Sequence, residues 1–301
     1  MDTILFNSPS VFNFNSLYVI ESLDVNDGDT LTGTNLLNKL QPYAEASGVL
    51  TALITVETAN QWFEAMEYLR KKALEGQRPI IHFEIHGTED KDGLYIKNGD
   101  VIKWPDILQC ISDINYAGRC NLAVSFAVCY GQYLAEYINA YNRMPFCYSL
   151  GSFEELYEDD LEIRYFAFYK ELLTSFNLNK AYQALLDARK DMPSNYCSIQ
   201  ADMLFNQVMK GYLENKCSRV ALKLRAESEM DAAPERFGYL TKEQRRQFVK
   251  DFRKVERKNH ENYYRESVEN YFQLKEHPEN RNRFLIFNST EELLNAFKPE
   301  K

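Results

Sequence analysis

The sequence is poor in the features that define several large classes of protein. With 12 Gly, 9 Pro and 2 Trp in 301 residues, it is neither collagen-like nor of low complexity. Its apolar runs are far shorter than the roughly 20 residues that cross a bilayer. The six cysteines include no Cys-x-x-Cys pair, which disfavours a disulfide framework or a structural zinc site. The amino end has no basic segment of a standard secretion signal. We therefore expect a cytoplasmic protein without membrane contact.

The charge balance of the chain is acidic. Lys and Arg number 35 against 44 Asp and Glu, which gives a formal net charge of −9. Such a field repels the phosphate backbone of DNA or RNA, so direct nucleic-acid binding is not expected. Hydrophobic residues make up 45% of the chain, enough to build a core. These values together predict a globular protein.

Short apolar runs alternate with helical patterns over the first two-thirds of the chain. This alternation is typical of an α/β fold with a doubly wound, mostly parallel sheet that is flanked by helices. The predicted strands cover residues 17–23, 50–56, 79–86, 121–128 and 146–150. Beyond about residue 190 the pattern changes to helices alone. We therefore predict a core domain over residues 1–190 and a mainly helical carboxyl-terminal extension over residues 191–301.

Local signals specify several elements in more detail. The Asn-Gly pair at 98–99, between alternating residues, predicts a β-hairpin between the third and fourth strands. Thr241 and Gln244 have the spacing of a capping box, which predicts the start of a long helix. A stripe of large side chains over residues 133–141 predicts a further helix. The acidic residues 226–235 are interpreted as a turn-rich stretch.

Two residues that can perform chemistry stand at the ends of neighbouring predicted strands. His86 ends the third strand and Cys129 ends the fourth. Ligands of an open parallel sheet gather outside the carboxyl ends of its strands, where loops meet helix amino ends. A thiolate is a nucleophile, and a nearby imidazole can take the thiol proton and later give a proton to the leaving amine. This pair is therefore our candidate catalytic dyad.

Two backbone N–H groups complete the candidate site. Gly87 has no Cβ, so the chain can turn tightly there and present its N–H group. Together with the N–H group of Cys129, at a strand-to-helix junction, it would form an oxyanion site. The residues to which we assign supporting roles flank the dyad in sequence: His82, Glu84, Tyr130 and Gly131.

Three segments of the chain resemble a known family. They are Ile81-His-Phe-Glu-Ile-His-Gly87, Asp92-Gly-Leu-Tyr-Ile96 and Asn121-Leu-Ala-Val-Ser-Phe-Ala-Val-Cys-Tyr-Gly131. These segments are similar to those of the caspase-like cysteine peptidases of the CHAT type, which are relatives of caspases and separases. The resemblance covers about residues 17–190. It implies a caspase-hemoglobinase fold, a catalytic dyad at the His–Cys pair described above, and endopeptidase activity that a partner often switches on.

The chain also departs from the family pattern. Members commonly have a small residue near the position of Ile85, and a small or polar residue where Tyr130 follows the candidate cysteine. Tyr130 is therefore expected to narrow the cleft. Residues 125–128 are apolar or neutral, so they do not provide the acidic specificity residue that basic-cleaving relatives place before their cysteine. The substrate preference stays open.

Other functions fit parts of the sequence. One is a catalytically silent caspase-like module that binds proteins and in which the dyad is vestigial. Another is a Rossmann-like small-molecule binder, which lacks support because residues 21–28 after the first strand are acidic and form no glycine-rich phosphate loop. A metal site on His82, Glu84 and His86, which share one strand face, would need further ligands. We predict no metal and no cofactor.

Two charged segments lie outside the dyad. Residues 154–162 hold six carboxylates, and we interpret them as a solvated loop followed by a helix amino end, where the dipole favours acids. Seven basic residues line one predicted helix of the extension: Arg245, Arg246, Lys250, Arg253, Lys254, Arg257 and Lys258. The same helix carries an apolar stripe, so we expect it to pack on the core or on a partner. We expect a protein substrate and a protein activator or regulatory partner.

Overall fold

The chain forms two compact units. The computed structural model describes residues 12–190, 194–232, 235, 238 and 240–298. One unit, called the sheet unit below, runs to residue 139 and also contains residues 143–201. The other, called the helical unit, contains residues 140–142 and the chain from residue 202 onward.

The sheet unit is built on one mixed, mostly parallel sheet of eight strands. The strands are β1 (Ser16–Ser22), β2 (Leu50–Thr55), β3 (Pro79–Gly87), β4 (Gly93–Tyr95), β5 (Val101–Lys103), β6 (Ala123–Ala127), β7 (Tyr148–Ser152) and β8 (Tyr196–Gln200). The main path runs β2-β1-β3-β6-β7-β8, and β4 and β5 form a hairpin that pairs with β3. Only the β7–β8 pair on this path is antiparallel.

Helices flank this sheet. They are α1 (Thr32–Ser47), α2 (Ala59–Leu74), α3 (Trp104–Ala117), α4 (Glu158–Ser175) and α5 (Leu178–Asp187). The α1 and α4 helices pack on each other, and so do α2 and α3, because each pair shares one face of the sheet. This arrangement confirms the predicted α/β fold with a mostly parallel sheet flanked by helices.

The core of the sheet unit has two faces, because successive side chains of a strand point to opposite sides. On one face, Phe83 of β3 stacks on Phe126 of β6, and α2 and α3 add Trp62 and Trp104. Burial of a large apolar side chain contributes roughly 1.5–3 kcal/mol, so this aromatic layer is a major source of stability. On the opposite face, His82 of β3 lies against α4.

The amino end of α1 is held by the sheet rather than by a capping side chain. Glu21 of β1 accepts hydrogen bonds from the backbone N–H of Thr34 at 2.9 Å and from its hydroxyl at 2.7 Å. A Cβ at Gly33 would lie 2.9 Å from atoms of Glu21 and Glu84, so only glycine fits. These contacts fix the start of α1 next to the carboxyl ends of β1 and β3.

The hairpin prediction is confirmed. Residues 98–99 lie in the connection between β4 and β5, and Gly99 has a φ of 94°, which glycine adopts without strain. The hairpin extends β3 beyond the end of its pairing with β1, since His86 and Gly87 pair with Tyr95 and Leu94. The edge of the sheet that carries the candidate dyad is therefore bordered by this hairpin.

The helix predicted over residues 133–141 is wrong in length. The structure has only a short 3-10 helix, Gly131–Tyr137, and the backbone becomes extended at Ile138. Residues 140–142 belong by their contacts to the helical unit, where the Tyr141 ring lies 4.5 Å from that of Tyr263. Of the stripe, Leu134 is buried, whereas Tyr137 and Tyr141 are 47% and 48% exposed, so these side chains do not form one buried helix face.

The helical unit contains α6 (Ala201–Lys216), α7 (Arg219–Ala232), α8 (Lys242–Tyr271) and α9 (Thr290–Ala296), with the first residue of α6 still in the sheet unit. The capping box is confirmed: the Thr241 hydroxyl accepts the N–H of Gln244, and the Gln244 side chain accepts the N–H of Thr241. A helical carboxyl-terminal region is likewise confirmed. Within the described ranges, no helix is long and apolar enough to cross a bilayer.

Two details beyond residue 190 differ from the prediction. Helices alone were expected there, but β8 pairs with β7 and adds an edge strand to the sheet. The stretch 226–235 was expected to be turn-rich, yet its described part up to Ala232 is helical because α7 buries Ala226 and Met230. Burial of these apolar side chains outweighs the acidic residues between them, which are themselves compatible with a helix.

Candidate active site

His86 and Cys129 lie at the carboxyl ends of adjacent strands. The last paired residues of β3 and β6 are Glu84 and Ala127, and His86 and Cys129 each lie two residues beyond them. A Cβ at Gly87 would lie 2.0 Å from the carbonyl oxygen of Cys129, so the two chain segments are in contact beyond the paired region. His86 contacts Asp29 just before α1 and Cys129 contacts Leu156 just before α4, so both side chains lie on the side of the sheet that these two helices cover.

His86 has a partner that the sequence analysis missed, Asp29. The Nε2 atom of His86 lies 3.1 Å from both carboxylate oxygens of Asp29, and 51% of the His86 side chain is exposed. A carboxylate can only accept a hydrogen bond, so Nε2 carries the proton. The Nδ1 atom then keeps the lone pair that can accept a proton from a thiol. Asp29 therefore sets both the orientation and the tautomer of His86.

The loop between β1 and α1 fixes Asp29. The Asp29 carboxylate also accepts the backbone N–H of Asp24 at 2.8 Å, which closes the loop on itself. Gly28 has a φ of 97°, a left-handed conformation that other residues rarely adopt. One sequence signal could have found Asp29: the first strand neighbours the third in the 2-1-3 strand order that is common in doubly wound sheets, so a carboxylate soon after β1 lies at the same edge as His86.

Cys129 is half-buried and contacts the loop after β7. Its Sγ accepts the backbone N–H of Leu156 at 3.4 Å and lies 3.8 Å from the carbonyl oxygen of the same residue. Among the described residues, no hydrogen bond joins Cys129 to His86. The structure thus brings the two predicted catalytic residues to one edge of the sheet, each with a different partner.

The other thiols are in less reactive surroundings. Burial raises the pKa of Cys110, Cys197 and Cys217 to about 11 in each case. These side chains therefore keep their protons at neutral pH, and a thiol is a poor nucleophile. Cys120 and Cys147 are buried in the core.

The orientation of Gly87 fits the predicted oxyanion role. The N–H of Thr88 donates to the carbonyl oxygen of Gly93 at 3.1 Å, which makes these residues a hydrogen-bonded pair of the β3–β4 ladder. Hydrogen-bonded and non-hydrogen-bonded pairs alternate along an antiparallel ladder, so the N–H of Gly87 points away from β4. The oxyanion role of Gly87 and Cys129 stays a prediction.

Tyr130, which follows Cys129, connects this part of the chain to the loop after β7. It adopts a left-handed backbone conformation with φ 63°, and its N–H donates to the carbonyl oxygen of Glu154 at 3.1 Å. Its hydroxyl donates to Glu155 at 2.7 Å, and this hydrogen bond raises the pKa of Tyr130 to about 12. The ammonium of Lys91 lies 4.4 Å from the centre of the Tyr130 ring. Tyr130 is therefore neutral at physiological pH, and it is held through both its backbone N–H and its hydroxyl group.

A buried polar network lies beneath this edge. His82 Nε2 is 2.9 Å from Glu84, and His82 Nδ1 is 2.7 Å from the hydroxyl of Ser125, which also contacts the hydroxyl of Tyr169. Glu84 accepts a second hydrogen bond, from the hydroxyl of Thr32 at 2.7 Å. Both polar groups of His82 are thus satisfied inside the protein. In the part of the chain that the structure describes, no group of three His, Cys, Asp or Glu side chains could hold a metal ion.

The predicted site residues fall into two groups. His82 and Glu84 are buried in the network beneath the site. Gly131 follows Tyr130, and a Cβ there would lie 2.6 Å from Phe126, so its role is to let the chain turn against the sheet. The residues at the strand ends are His86, Gly87, Cys129, Tyr130 and Gly131.

The acidic segment 154–162 forms the loop and helix start that the sequence predicts. Helix α4 begins at Glu158, and three acidic residues occupy its first turn. Glu158 also accepts a hydrogen bond from the hydroxyl of Thr30 at 2.9 Å, on the loop that carries Asp29. Two loops that border the candidate site are therefore joined directly.

Comparison with known proteins gives no further guide to the site. No protein-family model matches the chain, and no curated protein matches it significantly. The arrangement of Cys129, His86 and Asp29 is therefore the main basis for inferring a function.

Proposed function

We propose that the chain is a cysteine endopeptidase in which Cys129 is the nucleophile and His86 is the general base and acid. The observation that carries the proposal is that Asp29 orients His86 at the sheet edge where Cys129 also lies. A nucleophile, a base and a third group that orients the base are the general pattern of nucleophilic catalysis. The resemblance of three segments to CHAT-type peptidases, which implies a caspase-hemoglobinase fold, supports the same proposal.

The first half of the reaction forms an acyl-enzyme. Nδ1 of His86 takes the proton from Sγ of Cys129, and the thiolate attacks the carbonyl carbon of the peptide bond. The N–H groups of Gly87 and Cys129 stabilise the oxyanion that forms. The carbon–nitrogen bond then breaks, and the leaving amine takes the proton from His86. A thioester between the substrate and Cys129 remains.

The second half of the reaction hydrolyses the thioester. His86 takes a proton from a water molecule, and the hydroxide attacks the thioester carbon. The carbon–sulfur bond breaks, the carboxylic acid product leaves, and the sulfur recovers a proton from the imidazolium. This chemistry uses only side chains and water, so the proposal includes no cofactor and no metal.

The contacts of Cys129 add a requirement to this mechanism. Its Sγ must leave the backbone of Leu156 and turn towards His86 before the proton can pass. The loop that contains Leu156 is held by the Tyr130–Glu155 hydrogen bond, so a protein partner that moves this loop would activate the enzyme. We propose a protein substrate and a protein activator on this basis. All six cysteines are free thiols, as is usual in a reducing compartment, so we also propose a cytoplasmic location.

The contacts of Cys129 also favour a second candidate function. If Sγ never leaves Leu156, the chain is a catalytically silent caspase-like module that binds proteins. The two candidates differ in one property, the reactivity of Cys129 in the folded chain.

A peptide-library experiment tests the proposed activity. The full chain is incubated with a library of unlabelled peptides, with and without extract of the source cells, and new peptide ends are identified by mass spectrometry. Cleavage by the wild type should be lost in Cys129→Ala and kept in Cys110→Ala, which removes a thiol whose pKa burial raises to about 11. Equal cleavage by both variants would refute the proposal. No cleavage by a folded wild type in either condition would favour the silent module.

A further inference from the structure

The helical unit has an open groove between α7 and α8. Its volume is about 760 Å³, and its walls come from these two helices alone within the described residues. The groove is remote in sequence from the candidate dyad. The basic helix identified in the sequence is α8, which forms one wall of the groove, and α7 forms the other wall.

The groove is strongly basic on a chain that is acidic overall. Its basic side chains are Arg219, Lys223, Lys242, Arg245, Arg246 and Arg253, and the only carboxylate among its lining residues is that of Glu227. The net charge of the whole chain is −9. A local excess of positive charge on such a protein creates a potential that differs in sign from that of the surrounding surface.

Internal ion pairs neutralise only part of this charge. Lys223 lies 3.5 Å from Glu227, and Arg245 lies 3.4 Å from Asp231. Arg246 and Lys242 form no ion pair with any described residue. Lys242 and Arg246 also stand near the amino end of α8, where the helix dipole is itself positive. The groove therefore keeps positive charge that ion pairs among the described residues do not offset.

The groove also exposes apolar side chains. Val220 is 69% exposed and Leu224 is 60% exposed, and both lie on α7 one turn apart. Val249 of α8 faces the same groove. Apolar side chains at a spacing of four residues form a strip along one helix face. A ligand of phosphate or carboxylate alone would leave this strip in water.

We propose that this groove binds an acidic amphipathic helix of a partner protein. The apolar face of such a helix covers Val220 and Leu224, and its Asp and Glu side chains pair with Lys242 and Arg246. Docking of an amphipathic helix in a groove is a common mode of peptide recognition, and complementary charge selects the partner and its orientation. The proposal concerns binding only and does not depend on the proposed peptidase activity.

The composition of the groove favours a protein over a nucleic acid. Proteins that bind single strands stack bases on aromatic side chains, and none of the described residues that line the groove is aromatic. The negative charge of the whole chain also opposes binding to a phosphate backbone. An acidic amphipathic helix fits both features, because its apolar face can cover the apolar strip and its carboxylates can pair with the basic side chains.

A designed peptide provides the test. The probe is a fluorescent peptide of about 18 residues, with Leu at helical i, i+3, i+4 and i+7 positions and Glu and Ala elsewhere. Fluorescence anisotropy with the full chain should show saturable binding that weakens as salt is added. A second peptide with Lys in place of every Glu should not bind. Failure of the Glu peptide to bind, or equal binding of both peptides, would overturn the proposal.

Matched variants locate the binding site. Lys242→Glu with Arg246→Glu should weaken binding of the Glu peptide at least about tenfold, because two attractive charges become repulsive. Lys250→Glu with Lys254→Glu makes the same change of charge on the same helix outside the groove, and should weaken binding less than about threefold. Equal loss in both double variants would show non-specific attraction and contradict the proposal.

Further experiments test the apolar strip and distinguish the acidic helix from other occupants of the groove. Val220→Ser with Leu224→Ser should weaken peptide binding without a change in charge, and no effect would contradict a role for the apolar strip. A fluorescent single-stranded RNA of about 20 nucleotides that bound more tightly than the Glu peptide, and in competition with it, would assign the groove to nucleic acid. Sedimentation of the chain alone as a dimer that Lys242→Glu with Arg246→Glu dissociates would assign it to a second copy.

Discussion

Two histidines on β3, His82 and His86, have different surroundings because they lie at different positions along the strand. His82 is fully buried in β3, and His86, four residues later on the same face, is half-exposed at the strand end. Both nitrogens of His82 contact buried polar groups. His86 contacts Asp29 through Nε2 only and lies at the edge where Cys129 follows β6. The buried histidine completes a hydrogen-bond network, and the exposed one lies at the edge of the sheet where we propose that the reaction takes place.

The two histidines illustrate a general difference between the interior of this sheet and its carboxyl edge. Inside the sheet, a polar side chain must find all its partners within the protein, because an unsatisfied buried group costs about 1–3 kcal/mol. At the carboxyl ends, loops and solvent satisfy polar groups and leave room for a substrate. A histidine inside the sheet is therefore expected to contribute to stability, and a histidine at the carboxyl edge is a candidate for function.

The largest expected effect is on catalysis. His86→Ala should lower kcat at least about 10²-fold, because loss of a general base removes a factor of roughly 10²–10⁴. Its melting temperature should stay close to that of the wild type, since His86 is half-exposed. Turnover of a peptide selected from the library measures the first quantity, and thermal unfolding measures the second. Unchanged turnover would remove His86 from the mechanism.

The second prediction concerns stability. His82→Ala should lower the free energy of unfolding by about 3 kcal/mol, because Glu84 and Ser125 each lose one buried hydrogen-bond partner and a cavity opens. Urea unfolding of this variant beside His86→Ala measures the difference. If both variants lost the same stability, the contrast between the buried and exposed histidines would be wrong.

The third and smallest effect tests the orienting carboxylate. Asp29→Asn should lower kcat by about tenfold or more, because an amide can hold His86 in the wrong tautomer. Asp27→Asn removes the same charge from the same loop without a contact to His86, and should change kcat less than about twofold. Comparison of the two pH profiles of kcat separates orientation from general electrostatics. Equal effects would leave Asp29 without a special role.

Much of the sheet could be predicted from the sequence. Strand and helix periodicity identified five of the strands, and the Asn-Gly pair at 98–99 identified the hairpin, since these signals are local. The edge strand β8 was missed because its pairing with β7 depends on tertiary contacts. Residues 133–141 were predicted as one helix, but they are divided between the two units, and no local pattern records that division.

The candidate site was predictable in part. His86 and Cys129 follow predicted strands, so the rule for parallel sheets placed them at one edge before any coordinates. Asp29 was missed because residues 21–29 contain several acids, and only the fold of the loop around Gly28 selects one of them. The contact between Cys129 and Leu156 joins residues far apart in sequence, and local patterns do not encode such pairs.

Covalent labelling tests the central claim most directly. The folded chain is treated at pH 7.5 with a peptidyl acyloxymethyl ketone, and the labelled residue is identified by peptide mapping. We predict one adduct, on Cys129, which His86→Ala and Cys129→Ala abolish and Cys147→Ala and Cys110→Ala do not. Cys110, Cys197 and Cys217, whose pKa values burial raises to about 11, keep their protons at this pH and stay unlabelled. Labelling of several cysteines to the same extent, independent of His86, would contradict the account.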